Sequence, residues 1–116
     1  MKNVESAENL SKDIDAYDGV NELYTLKNAV ELLMDDCHSR AKDAGWWDSR
    51  TRDDIPKMLM LCVSELAEAM EGDRKDLMDD HLPEHPAFTV ELADALIRIF
   101  DLAGGFAPTL PAAMIE

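Results

Sequence analysis

The sequence predicts an all-α bundle, and three observations carry that expectation. Apolar residues recur at steps of three and four along one stretch, a second holds a run that is apolar all round, a third is an apolar rod whose charges Glu91, Asp94 and Arg98 recur at that same spacing, and no stretch alternates as a strand would. Glycine and proline fall between these segments, where helices are expected to begin and end. At 116 residues the chain has room for one domain, with hydrophobic residues at 47% and charged residues at 31%, the balance of a folded globular protein.

Residues 1–19 are polar and acidic and read as a mobile leader with at most one short helix. The acids around Asp13, Asp15 and Asp18 do not form a calcium loop, because Tyr17 and Tyr24 stand where carboxylates would have to be. The single domain is expected over 20–107, with 108–116 as a tail broken up by Pro108 and Pro111.

The first helix is expected over Val20 to Ala44. Leu23, Leu26, Val30, Leu33, Cys37, Ala41 and Ala44 form its apolar stripe, and Gly45 ends it. Trp46 to Asp54 reads as a loop. A second helix starts near Ile55-Pro56, with Asp54 as candidate N-cap and Pro56 in the first turn, and stops at Gly72. Its stretch from Met58 to Val63 is apolar on every side and needs burial all round. A polar linker from Asp73 to Pro86, with one irregular helical turn, leads to a third helix from Ala87 to Ala103, stopped by Gly104-Gly105. One amphipathic neighbour cannot hide so much apolar surface, so the core is expected to be completed by oligomerisation, as a homodimer or homotetramer.

Composition narrows the function. Acidic residues outnumber basic ones 25 to 11, for a formal charge of −14, which repels nucleic acid polymers and anionic membranes. The start lacks the apolar core of a signal peptide, and Cys37 and Cys62 sit in apolar, helix-like stretches as free thiols do in a reducing compartment. A cytoplasmic address follows as the expectation.

The chemistry is expected where the second and third helices meet. Glu65 and Glu68 lie three apart, as do Glu91 and Asp94, so each pair points one way from its own helix. Packed antiparallel, the two helices would bring four carboxylates to one seam. Such a cluster repels itself unless cations neutralise it, and an all-oxygen set favours magnesium, with manganese as a substitute. Magnesium completes its shell with substrate phosphates, so a polyphosphate substrate suits the site. A di-iron centre would want Glu-x-x-His pairs, and neither pair has a histidine. His81-Leu82-Pro83-Glu84-His85 spells a zinc-peptidase pattern, but Pro83 breaks the helix it would require, so it reads as a loop.

The runs Met60-Leu61-Cys62-Val63-Ser64-Glu65-Leu66-Ala67-Glu68-Ala69-Met70-Glu71 and Glu91-Leu92-Ala93-Asp94-Ala95-Leu96-Ile97-Arg98-Ile99-Phe100-Asp101-Leu102-Ala103-Gly104 resemble the MazG-like nucleotide pyrophosphohydrolases. These belong to the all-α NTP pyrophosphatases, whose hallmark is Glu-Glu-x-x-Glu, a spacer, then Glu-x-x-Asp. The resemblance implies that Glu65, Glu68, Glu91 and Asp94 hold magnesium. It also implies hydrolysis of a nucleoside triphosphate at the α-phosphate, to monophosphate and pyrophosphate. Glu65 or Glu68 would take the proton from water.

Two departures stand out. Ser64 occupies the place where the first Glu of the doublet often sits, and no Lys or Arg follows Arg98, where the family commonly has a basic segment. A further segment or a partner subunit would then complete phosphate binding.

Candidate phosphate contacts are Arg98, one turn past Asp94 and equally suited to an ion pair with it, then Arg74, Lys75 and Lys57, whose commoner role is surface charge. Trp46 and Trp47 are candidates for stacking on a base, although tryptophans at such a junction more often anchor the loop. Two competing readings from other classes are an acidic interaction module that imitates nucleic acid and a nucleotide sensor without turnover.

Overall fold

The computed structural model describes residues 19–116, so the leader expected over residues 1–19 lies, but for its last residue, outside the described residues. Among the described residues four helices follow in order: α1 (Gly19–Asp43), α2 (Ile55–Arg74), α3 (Ala87–Phe106) and α4 (Leu110–Ile115), with a short 3-10 turn at Arg52–Asp54. No strand occurs among the described residues, and a lone bridge pairs Met78 with Pro86. No described helix is long and apolar enough to cross a membrane.

α3 is the central element. α2 packs along it antiparallel, Gly72 near the end of α2 meeting Ala87 at the start of α3, and Glu65 meeting Arg98 further along. α1 and α4 cover another side, where Met34, Phe100 and Ala103 form a core cluster flanked by Val30, Cys37 and Leu110. α1 ends where the sequence predicts, in a Schellman motif: Gly45 has φ +85°, its N–H donates to Lys42 O, and the Trp46 N–H donates to Ala41 O.

Three glycines expected to stop helices lie inside them instead. A Cβ at Gly72 would come within 2.9 Å of the Ala87 Cβ, and one at Gly104 would collide with His38. One at Gly105 would occupy the Trp47 ring. These glycines admit neighbouring side chains and backbone, and α2 and α3 run on to Arg74 and Phe106.

Two cap expectations also change. The Asp54 side chain caps nothing in α2; it accepts from the Thr51 N–H at 2.9 Å and closes a capping box on the 3-10 turn. Pro111 does not break the tail, because it occupies the first turn of α4, where its missing N–H costs no hydrogen bond. The Lys75–Pro86 connection holds turns and the bridge to Met78 but no helical turn.

The buried stripe of α2 is Met58, Cys62, Glu65, Ala69 and Gly72. The all-round burial expected for Met58–Val63 is not reached within one chain. Leu59, Val63, Leu66 and Met70 form a second stripe on α2, each about half exposed or more (50%, 50%, 49% and 69%). Phe88, Leu92, Leu96 and Ile99 form a less open stripe on α3, at 41%, 38%, 53% and 38%.

Candidate metal centre

Helical spacing puts Glu65 into the buried stripe of α2 between Cys62 and Ala69, where it is 8% exposed. The antiparallel packing then sets it opposite Glu91 and Asp94, which share one face of α3 because they are three residues apart. One oxygen from each of Glu65, Glu91 and Asp94 lies within 4.8 Å of the other two. Glu91 Oε2 is enclosed and finds no hydrogen-bond partner among the described residues.

The electrostatics follow from this crowding. Glu91 is pushed up to about 8, first by the proton it shares with Glu65, then by burial, then by Glu68. Asp94 is raised by burial, then by the charges of Glu65 and Asp79, with Arg98 pulling the other way. Burial pushes Glu65 up too, but hydrogen bonds from Glu91, Arg98 and Glu68 outweigh it and hold its carboxyl below the ordinary value. The cluster therefore retains a proton at neutral pH for want of positive charge. Hard divalent cations suit this donor set, since all ligand atoms are carboxylate oxygens and one is orphaned. Glu65, Glu91 and Asp94 could together hold such an ion.

Three of the four expected acids thus come together. Glu68 is exposed one turn further on, outside the compact set but close enough to act on both Glu65 and Glu91. Ser64 is exposed, and its hydroxyl donates to Leu61 O of its own helix at 2.7 Å. Arg98 does not pair with Asp94 as the helical spacing allows; its Nε donates across the seam to Glu65 Oε1 at 2.8 Å.

Beside the cluster opens a cavity of about 500 Å³. Glu65, Asp94, Ile97, Arg98 and Asp101 line one part, Asp36, Cys37, Arg40 and Ala41 of α1 another, and Trp46 and Arg50 the loop side. Burial first, then Asp36 and Asp101, raise the Cys37 thiol, which argues against a thiolate nucleophile there.

The two tryptophans divide their expected roles. Trp46 is exposed and lines the cavity, whereas Trp47 is a structural anchor. The Trp47 Nε1–H donates to Asp101 Oδ1 at 2.8 Å, its ring stands edge-on to His38 and tilts against Phe106, and Gly105 makes room for it.

The remaining basic candidates lie elsewhere. Arg74 and Lys75 are both committed to Glu71, at 2.8 and 2.6 Å, and Lys57 is exposed near the start of α2 without lining the cavity. His81 and His85 sit in the exposed connection, as the proline in their pattern predicts. Sequence reasoning missed Arg40 and Arg50. Both lie at positions with no motif around them, and only the tertiary fold brings them to the cavity.

No family model, curated protein or solved structure matches this chain.

Proposed function

We propose that the protein is a magnesium-dependent nucleoside triphosphate pyrophosphohydrolase of the MazG-like, all-α NTP pyrophosphatase type. It would convert a ribo- or deoxynucleoside triphosphate and water to the monophosphate and pyrophosphate. The observation that carries this reading is the cluster of Glu65, Glu91 and Asp94, three carboxylates from two helices with one orphaned oxygen, at the wall of a cavity that also presents guanidinium groups.

Glu65, Glu91 and Asp94 would hold the ion, with Glu68 at the edge of the set. Magnesium bound there supplies Lewis acidity toward water and phosphate oxygens, with manganese as its substitute. Glu68 is the better placed proton acceptor, because Glu65 is buried and tied to Arg98 whereas Glu68 is exposed. Arg98 and Arg50 answer the negative charge of the phosphates, and Trp46 offers a face to the base. The likeness of residues 60–71 and 91–104 to the family motif supports the same assignment.

The second apolar stripes of α2 and α3 support a homodimer or homotetramer joined along them, since a second copy would cover what the single chain leaves open. The charge of −14 argues against a nucleic acid polymer or a membrane as partner, and the two free cysteines suit a cytoplasmic enzyme.

The test is an incubation of the purified protein with the eight common nucleoside triphosphates and magnesium, resolved by chromatography, with EDTA as control. Monophosphate and pyrophosphate, lost on chelation, are expected. Diphosphate with orthophosphate would mean a different bond is cut. Absence of any product would leave an acidic interaction module or a nucleotide sensor, separated by nucleotide binding.

A further inference from the structure

The cavity presents three guanidinium groups, and they differ in how far their donors are committed. Arg40 pairs with Asp36 at 3.0 Å on the exposed surface of α1, its side chain 80% open. Arg98 donates to Glu65.

Arg50 differs from both. Its side chain is only 16% exposed, its guanidinium carbon stands 4.8 Å from the centroid of the Trp47 ring, and its nearest acid, Asp101 Oδ2, is 3.7 Å away. That distance is an ion pair but too long for a hydrogen bond. None of its five side-chain donors makes a hydrogen bond to another described residue.

A largely buried arginine without hydrogen bonds is costly unless something completes it, because desolvated N–H groups lose their water partners. The arrangement around Arg50 also removes its freedom. Trp47 supports one face of the guanidinium, and Trp47 is itself fixed by Asp101, His38 and Gly105. The planar fork is thereby held ready on the cavity wall, and its geometry matches paired phosphate oxygens better than a single carboxylate oxygen at long range. Glu65 and Asp94 line the same cavity, so an anion on Arg50 lies within one enclosure with the carboxylate cluster.

We propose that Arg50 is the preformed phosphate-binding residue of this cavity, gripping the anionic tail of a polyphosphate ligand while the acid cluster holds its cation. This inference rests on the metal reading for the ligand's identity, and it assigns to a loop of the same chain part of the phosphate binding expected from a further segment or a partner subunit.

Calorimetry separates the two. Wild type, Arg50→Gln, Arg50→Lys and Arg40→Gln are titrated with magnesium alone, then, in magnesium, with pyrophosphate and with a nucleoside triphosphate whose α–β bridging oxygen is replaced by NH. Arg50→Gln is expected to bind the anions roughly 10- to 100-fold more weakly with magnesium affinity unchanged. Arg50→Lys should recover part of the loss, since it keeps the charge and loses only the fork, and it guards against a loss caused by a loosened loop. Weakening of both anions places the contact at the β,γ end of the tail, and weakening of the nucleotide alone places it at the α-phosphate.

Unchanged anion binding in Arg50→Gln overturns the assignment while leaving the metal reading intact. So does an equal loss in Arg40→Gln, which would point to a general positive field. Failure of the wild type to bind magnesium overturns the metal reading, and this inference with it.

Discussion

Asp94 and Asp101 lie two turns apart on the same face of α3 and line the same cavity, yet their surroundings are opposite. Asp101 is surrounded by donors: the Trp47 indole, the His38 ring nitrogen at 3.0 Å and the Arg50 guanidinium beyond them. Asp94 and its neighbour Glu91 are surrounded by other acids, with Arg98 as the cation on their side of the cavity. A carboxylate that meets donors is holding the fold together. A carboxylate that meets other carboxylates weakens the fold unless a ligand compensates, and such arrangements are characteristic of functional sites.

The sharpest way to break this comparison is to remove one charge from each end. Asp94→Asn should lower turnover by at least roughly 10²- to 10³-fold, the effect expected when a group that stabilises transition-state charge is lost. Its helicity and melting temperature should hold or rise, because a repulsion has been removed. Glu68→Gln should likewise abolish turnover with the fold intact. Near-wild-type activity in either, measured by pyrophosphate release, would refute the role given to the cluster.

Asp101→Ala should do the reverse. It strands the Trp47 indole and His38 and should cost about 2–4 kcal/mol of stability, visible as a melting temperature lower by roughly 10–20 °C. A stable Asp101→Ala protein would mean that the loop is anchored by ring packing alone.

The third prediction concerns pH. Glu91 has a folded value near 8 against an ordinary 4.5, so between these limits the folded state binds more protons than the unfolded one. Stability of the metal-free protein should therefore fall as pH rises from about 4.5 to about 8 and level off above, and Asp94, also raised, adds to the same slope. Denaturant melts across this range should show the slope in wild type and a flatter one in Glu91→Gln. Magnesium binding should release a proton near neutral pH, detectable as a heat that depends on the buffer. Smallest of all, Arg74→Ala or Lys75→Ala should shift stability by no more than about 1 kcal/mol and leave turnover unchanged, since both serve only the exposed pairs with Glu71.

The same contrast shows what a sequence can carry. Helix existence and the register of Glu65, Glu91 and Asp94 were legible because both depend on local periodicity. The glycines were misleading for an equally local reason. Between apolar runs Gly72, Gly104 and Gly105 look like stops, and only the approach of Ala87, His38 and Trp47 reveals them as clearances. Trp46 and Trp47 are adjacent and alike in sequence, so nothing short of the fold tells the cavity-lining ring from the anchoring one. For Arg98 the spacing suited a phosphate contact and a pair with Asp94 equally, and only the packing of the two helices reveals Glu65 as its partner. Arg50 sits in a loop whose path is decided by tertiary contacts, and no pattern announces it.

The connection between α2 and α3 has a consequence for insertions and deletions. Leu77 donates to Gly72 O and accepts from the Ala87 N–H, Met78 bridges Pro86, and Asp79 Oδ2 accepts from the His81 and Leu82 N–H groups. With the Asp79 N–H donating to His85 O at 3.0 Å, residues 77–79 and 85–87 clamp the hairpin at its base, while 80–84 form a loop outside the clamp. Lengthening by one residue outside the clamp leaves the phase of α3 untouched. One residue added between Ala87 and Glu91 turns every later side chain by roughly 100° about the helix axis relative to the clamp. Asp94 would then face away from Glu65. The base of the hairpin thus works as an indexing stop, and length variation in this protein should be tolerated at 80–84 and nowhere between Leu77 and Asp94 otherwise.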